Sequence, residues 1–483
     1  MKARCLRPAA RGRWKPDRLE DFSFGPFMAE LDEAESPSRR RHVAKRRQMH
    51  DGLRTWTAHA QEMYWQAFPA DGASPLAPAR APWIYRIDLR GPDRRGATRY
   101  EISAWGRQLV SSDGRVRELR LPTNRADRPR TRAEISIAAL VAAEGRPGPL
   151  PEHVRVVQVG LSDGRCRPLF EGDREAARRL FAEHGKGELE NAVDSIEYRP
   201  GAACAKCAFI SVCPALPRAS GLLGVEDREH PRRSWSPTNG RSYRVCPARD
   251  HLRRLNLPTE WSIEHSPAAD RGRAVHGFLA RRHASASQRR CSLDIPSDWV
   301  GPEYTLPDQE QELGKRLLRH HVTVCPLRHA RKGAVRIEPS LTFHDTASDV
   351  IVITQPDLLY RDGDSWVWRE VKTRTGERRW GSDVLDGSPQ LALAVVLLGR
   401  GDLGGSRTRS RVELEILRPS GVDLEVIDPF TPSVRETAQN VLVEHVRAWH
   451  SDTAASPRPD VNNCARCEVA RWCTACATGG DAG

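Results

Sequence analysis

No stretch of the chain approaches the ~18 consecutive apolar residues that span a bilayer. Hydrophobic residues make up 39% of its 483 positions, and the mean hydropathy is -0.59. A membrane-spanning class is excluded on that ground. Met1-Lys2-Ala3-Arg4-Cys5 is basic with no apolar segment behind it, so no secretory signal is expected and the expected location is cytoplasmic. No Gly-x4-Gly-Lys-Ser/Thr sequence occurs, which excludes a P-loop motor within the chain. Lysine is scarce, yet the formal charge is +13 with a pI near 9.4, because arginine carries most of the positive charge. Such a field suits a polyanion, since each neutralised phosphate releases counterions. Arg/Ala/Pro/Gly-rich composition alone also fits a GC-rich genome, so charge narrows the partner without naming it.

Twelve cysteines are many for a reducing compartment where disulfides rarely persist. Cys204, Cys207 and Cys213 form a Cys-x2-Cys-x5-Cys group, and Cys464, Cys467 and Cys473 repeat that spacing. Clusters of this kind are ordinarily metal ligands. Cys166, Cys291 and Cys325 stand outside the clusters and read as core or surface thiols without chemistry.

The repeated triad invites comparison of the two halves. In the second half, Cys246 in Tyr243-Arg-Val-Cys-Pro is followed by an Arg-rich helix with His276 in Arg271-Gly-Arg-Ala-Val-His-Gly. Strand-like runs follow over 335–344, 350–360 and 364–372, then a helix from Gln390 through Leu398, a strand at 411–417, an amphipathic helix near 432–450 and the triad. The first half runs the same course. Cys5 and His50 come first, then strands from Tyr100 to Val110 and through Arg117-Glu-Leu-Arg120. A helix from Glu134 to Ala143, a strand from Val154 to Val159 and a helix from about 173 lead to its own triad. An internal duplication is expected, with modules over 1–220 and 221–483 and a linker in the Pro/Arg/Gly-rich stretch near 214–240. The predicted class is α/β, each module a central mixed sheet flanked by helices.

Pro356-Asp357 precedes a strand that ends in Glu370-Val371-Lys372. Alternation along a strand puts residues 370 and 372 on one face, and a hairpin brings Asp357 beside them. Two carboxylates and a lysine suit phosphodiester hydrolysis. The carboxylates would hold Mg²⁺ or Mn²⁺, and Lys372 would orient water and offset charge in the transition state. Taken alone, Glu370 and Lys372 could equally be a solvated cross-strand pair.

With their surroundings, these residues resemble the PD-(D/E)XK nuclease superfamily, specifically its RecB-like branch, over roughly residues 235–475. The resemblance implies that His276 is an extra metal ligand beside Asp357 and Glu370. It also makes Glu338 an acidic residue of the preceding strand, and Gln390 the glutamine of the helix after the lysine. A tyrosine usual after that glutamine is replaced by Ala394, and a glycine usual before the aspartate by Thr354. Branch members with an iron–sulfur staple, similar to the CRISPR-associated iron–sulfur exonucleases, carry one cysteine before the core and three after it. Cys246, Cys464, Cys467 and Cys473 match that pattern, which implies a [4Fe–4S] cluster. Zinc held by Cys464, Cys467, Cys473 and Cys476 is the competing ligand set. A second cluster would use Cys5, Cys204, Cys207 and Cys213.

In the first module Glu118 falls at the place of Glu370, Arg120 at that of Lys372 and Glu134 at that of Gln390. Counting back from Glu118, the aspartate position lands on Trp105, so this module is expected to be catalytically dead. The basic run Arg39-Arg-Arg-His-Val-Ala-Lys-Arg-Arg47 is a candidate phosphate-contacting helix or a solvated face. The expected activity is cleavage of DNA, at single-stranded ends or flaps by resemblance, in repair or phage defence. A separately encoded helicase or defence protein is an expected partner. The alternative is a non-catalytic nucleic-acid-binding protein with structural metal clusters.

Overall fold

A computed structural model describes residues 24–35, 49–69, 76–89, 98–195, 197–284, 291–328, 335–376 and 384–477. Cys5 and the basic run 39–47 lie outside the described residues. The chain forms two compact units. Unit 1 comprises 1–198 with 252–258 and 469–483; unit 2 comprises 199–251 and 259–468.

Unit 1 begins with helices α1 (Gly25–Glu35) and α2 (Asp51–Ala67). Strand β1 (Leu76–Pro78), the hairpin β2 (Ile84–Leu89) and β3 (Thr98–Ser103), then β4 (Arg107–Ser111) and β5 (Val116–Thr123) follow. Helix α3 (Arg132–Glu144), β6 (His153–Gly160), β7 (Cys166–Asp173), α4 (Arg174–His184) and α5 (Lys186–Asp194) complete it. The run expected from Tyr100 to Val110 is two strands, because Gly106 takes a φ of 153° at the break. The main sheet has the order β1-β4-β5-β6-β7; β5 and β6 are parallel and the other pairs antiparallel. Helix α3 starts at a capping box: Thr131 Oγ1 accepts the Glu134 N–H, and Glu134 accepts the Thr131 N–H. Its Ile137–Ala143 stretch is buried against β5 and β6.

Unit 2 contains β8 (Arg233–Trp235), α6 (Pro237–Val245), α7 (Pro247–Arg254, whose last turn falls in unit 1), α8 (Trp261–Glu264), α9 (Pro267–Ala284) and α10 (Asp308–Val324). Five strands follow: β9 (Val335–Ile337), β10 (Leu341–Asp345), β11 (Val350–Thr354), β12 (Leu358–Asp362) and β13 (Ser365–Thr373). Helix α11 (Pro389–Arg400), β14 (Arg411–Arg418), β15 (Gly421–Ile427), α12 (Pro432–Ser451) and α13 (Val461–Ala465) come last. Its five-stranded sheet has the order β9-β12-β13-β14-β15, with β13 and β14 parallel and the rest antiparallel. This is the order and sense of the unit 1 sheet, with a helix crossing between the parallel pair in each, as an internal duplication requires. Both modules are α/β with a central mixed sheet flanked by helices.

Helix α11 is apolar all round from Leu391 to Leu398 and is buried throughout that span, the behaviour expected of such a helix. Pro389 opens it at a position where no N–H is needed, and Gly401, at φ 81°, closes it in the left-handed region. It packs between the sheet and α12. On β13, Trp366 and Trp368 face α11, while Val371 faces the cluster built by α9 and α10.

Two expectations are corrected. Residues 350–360 are not one strand: β11 belongs to a three-stranded sheet β10-β11-β8, and β12 to the five-stranded one. Pro356 offers no N–H to a ladder, so pairing breaks there and the chain changes sheets. The stretch near 214–240 is not a linker. Leu222, Leu223 and Val225 are core residues of unit 2, and the Asp345 carboxylate accepts the N–H groups of Gly221 and Leu223, both at 2.8 Å. A stretch without periodicity is here fastened by its buried leucines and by one carboxylate that satisfies its backbone.

Candidate active site

Asp357 stands at the sheet-changing break just before β12. Leu358 pairs with Arg369, so Asp357 comes opposite Glu370. Its Oδ2 accepts the Val371 N–H at 2.7 Å and lies 3.5 Å from Lys372 Nζ. Lys372 Nζ is also 3.2 Å from Glu370 Oε2, so one ammonium bridges both carboxylates. From α9, His276 Nδ1 approaches Asp357 Oδ1 at 3.4 Å. From α11, Gln390 Nε2 donates to Glu370 Oε1 at 3.0 Å and to the Gln355 carbonyl at 3.1 Å. The Trp368 indole N–H, two residues before Glu370 on the same strand face, also donates to Glu370 Oε1, at 2.9 Å. The structure thus brings together His276, Asp357, Glu370, Lys372 and Gln390.

The electrostatics separate the two carboxyls. Burial and the neighbouring Asp357 push Glu370 above the ordinary carboxyl range. Burial works against charging Asp357 as well, but the hydrogen bond from His276, the Lys372 charge and the Val371 N–H outweigh it and hold it at about 2. Lys372 is raised: its burial is overcome by Glu370 and Asp357. Carboxylate oxygens and an imidazole nitrogen converging beside one cation form a donor set suited to a hard divalent ion.

Of the site residues, His276 lines a cleft of about 910 Å³, with Arg273, Tyr304, Glu338, Thr373 and Arg374 among its walls. Glu338 has a left-handed φ of 43°, and its N–H reaches the Asp357 carbonyl at 3.2 Å. That turn explains why 335–344 is two strands. Of the two departures from the family pattern, Thr354 donates to Gln390 Oε1 at 3.4 Å, and Ala394 is buried in the helix core.

In unit 1, Glu118 pairs across the sheet with Leu109. Trp105, reached by counting, sits in the loop before β4 and is largely exposed; loop length defeats a residue count where strand register does not. Glu118 is buried and held by Arg120 at 2.6 Å and Arg155 at 3.0 Å. No second carboxylate stands opposite it. Glu134 closes the α3 capping box, and His50 caps α2 by accepting the Gly52 N–H.

Among the expected cluster ligands, Cys246 ends α6, and its Sγ accepts the N–H of Arg458, which lies shortly before Cys464. Cys464 is in α13, and the Cys467 N–H donates to its carbonyl. Cys473 follows a short 3-10 turn and belongs to unit 1. Cys204, Cys207 and Cys213 are half-buried in unit 2; Cys204 and Cys213 pack against Ile351 and Ile353.

Cys291 and Cys325, expected as core or surface thiols, lie in the core. Both are buried and meet His283 and His321, one donor atom of each lying within 4.8 Å of the others. A sequence signal existed in His321-x3-Cys325, the spacing of one helical face; His283 and Cys291 gave none.

Residues 234–474 form a domain of the PD-(D/E)XK nuclease superfamily. The superfamily generally hydrolyses phosphodiester bonds with divalent metals, so the match supports a nuclease-type function and implies a nucleic-acid substrate. The solved structure of SSO0001 is 12% identical to this chain, over 52% of this chain and 90% of its own, with a TM-score of 0.25. No curated protein matches the chain. No helix among the described residues is long and apolar enough to cross a membrane.

Proposed function

We propose that the protein is a Mg²⁺- or Mn²⁺-dependent deoxyribonuclease whose active site is Asp357, Glu370, Lys372, His276 and Gln390. The convergence of two carboxylates on one lysine, 3.2 and 3.5 Å from its Nζ, carries this reading. His276, Asp357 and Glu370 would hold the ion. Bound there, it polarises the scissile phosphate and lowers the pKa of a water molecule. Lys372 orients the attacking water by donating an ammonium N–H to its oxygen, and it offsets the charge that grows on the phosphoryl oxygens. Gln390 and Trp368 fix the Glu370 carboxylate from behind, leaving its other oxygen to the site. Arg273 and Arg374, on the cleft wall, suit the phosphates of a strand lying in it.

We further propose single-stranded ends or flaps as the substrate. On a RecB-like reading, the enzyme would act in repair or phage defence, in the cytoplasm, with a separately encoded helicase or defence protein. Cys246, Cys464, Cys467 and Cys473 are assigned to a [4Fe–4S] cluster, supported by the Arg458 link that draws the chain ahead of Cys464 to Cys246. Cys5, Cys204, Cys207 and Cys213 are assigned to a second. The first module is assigned a DNA-binding or scaffolding role, because Glu118 is neutralised by two arginines and faces no partner carboxylate.

The test is cleavage of end-labelled single-stranded, flapped and duplex DNA by anaerobically purified protein, with Mg²⁺, with Mn²⁺ and with EDTA. Products dependent on the metal, and fastest on single strands or flaps, are expected. DNA binding without cleavage under every metal condition would leave the non-catalytic nucleic-acid-binding reading in its place.

A further inference from the structure

His283, Cys291, His321 and Cys325, all buried in unit 2, lie outside the machinery described above. His283 is in the last turn of α9 and Cys291 follows that helix; His321 and Cys325 are one turn apart at the end of α10. None of the four is more than 6% exposed. Cys291 Sγ lies 3.4 Å from His283 Nε2, and Cys325 Sγ lies 4.0 Å from the same atom. A tetrahedron with ordinary zinc–sulfur and zinc–nitrogen bonds has edges of about 3.3–3.8 Å. The 3.4 Å separation falls in that range, the 4.0 Å one lies just beyond it, and all four donor atoms lie within 4.8 Å of one another.

Orientation points the same way. His321 Nδ1 is held by Glu415 Oε1 at 2.6 Å, which leaves Nε2 as the ring atom for a metal. That Nε2 is fully buried and makes no hydrogen bond of ordinary geometry among the described residues. Leaving such an atom unsatisfied is costly. A carboxylate on the far nitrogen is the usual support of a metal-bound imidazole. The support extends further, since Glu415 Oε2 accepts from Arg369 at 3.1 Å.

We propose that His283, Cys291, His321 and Cys325 bind one structural Zn²⁺ ion. Two thiolates and two imidazoles, all shielded from water, make the closed four-ligand set that zinc prefers. Both sulfurs approach one imidazole nitrogen, which suits a single ion; a two-iron cluster would put the cysteine and histidine pairs on separate irons. The ion joins α9, α10 and, through Glu415, β14. His276 lies two turns before His283 on α9, and Arg369 neighbours Glu370 on β13. The zinc therefore fixes the helix that carries His276 against the sheet that carries the carboxylates. Its ligands are positioning residues.

The test reads metal directly, without DNA, and so stands apart from the nuclease reading. Zinc and iron are measured in the full chain purified anaerobically, for the wild type and for the double variant Cys291→Ala/Cys325→Ala. About one zinc per chain should be lost in the variant, with the iron content unchanged. Because that variant can fail to fold, Co²⁺ is also added to wild-type protein stripped of zinc. Tetrahedral d–d bands with thiolate-to-cobalt charge transfer are expected, together with protection of two thiols from alkylation. Equal zinc in variant and wild type would place the ion elsewhere, for instance on Cys464 and its neighbours, and overturn the proposal. So would a wild type that shows neither zinc nor the cobalt spectrum.

Discussion

Replacing Gln390 by alanine removes a support of the catalytic carboxylate without touching a proposed metal ligand. Glu370 is 3% exposed, and it already lies above the ordinary range because of burial and Asp357. The Gln390 amide, 3.0 Å away, works against that shift. A hydrogen bond to a charged group contributes about 1.5–3 kcal/mol, which corresponds to roughly 10- to 100-fold in an equilibrium constant. Without the amide, the Glu370 pKa moves further up, and a larger share of the carboxyl is protonated at a given pH. A protonated carboxyl is a poor ligand, so the Mg²⁺ concentration for half-maximal cleavage should rise by roughly 10- to 100-fold, as outer-shell changes at metal sites commonly do. The deficit should widen as pH falls and narrow as it rises. The assay is initial cleavage rate against Mg²⁺ concentration at two pH values, with a melting curve to show that the variant is folded. A half-saturation within about threefold of wild type at both pH values would refute the reasoning.

Arg369→Met should destabilise unit 2 by about 3–5 kcal/mol, because it removes the buried cation paired with both Glu413 and Glu415 and leaves Glu413 to Arg411 and Tyr360 and Glu415 to His321; denaturant unfolding measures this, and a change under about 1 kcal/mol would contradict it. Gly314→Ala places a Cβ against the ring of buried Trp299 in α10; overpacking of about 1–3 kcal/mol is expected, again by denaturant unfolding. Glu118→Gln should lower the stability of unit 1 by removing the charge shared by Arg120 and Arg155, by about 3 kcal/mol. Cleavage per folded molecule should stay at the wild-type level, and a proportionate loss of cleavage would mean that the first module takes part in the chemistry.

The sequence made the regular parts legible. Strict alternation through Arg369-Glu-Val-Lys372 announced a strand with its functional side chains on one face, and the apolar run after Pro389 announced a buried helix. The cysteine triads exposed a repeat that the two sheets then display strand for strand. What stayed hidden depended on tertiary placement. The switch between sheets at Pro356 is decided by pairing partners far away in the chain, β8 for one side and β9 for the other. Leu109 rather than Trp105 faces Glu118, because register is set by the tight turn joining β4 to β5, where the Gly114 N–H reaches the Ser111 carbonyl, and not by residue count. The Cys/His group is assembled from the ends of two helices and the segment after one of them, and only the His321–Cys325 spacing lies within a single element. Leu222 and Leu223 looked like linker residues because they follow no period; they are buried by docking, which leaves no periodic trace.

The most direct measurement compares wild type and Lys372→Ala for cleavage and for binding of the same end-labelled single strand in Mg²⁺. Loss of Nζ removes the one cation shared by Asp357 and Glu370, and a fall in rate of roughly 10²–10⁴-fold is expected with binding largely retained. Equal cleavage by the two proteins would contradict the assignment of the active site to this lysine and its two carboxylates.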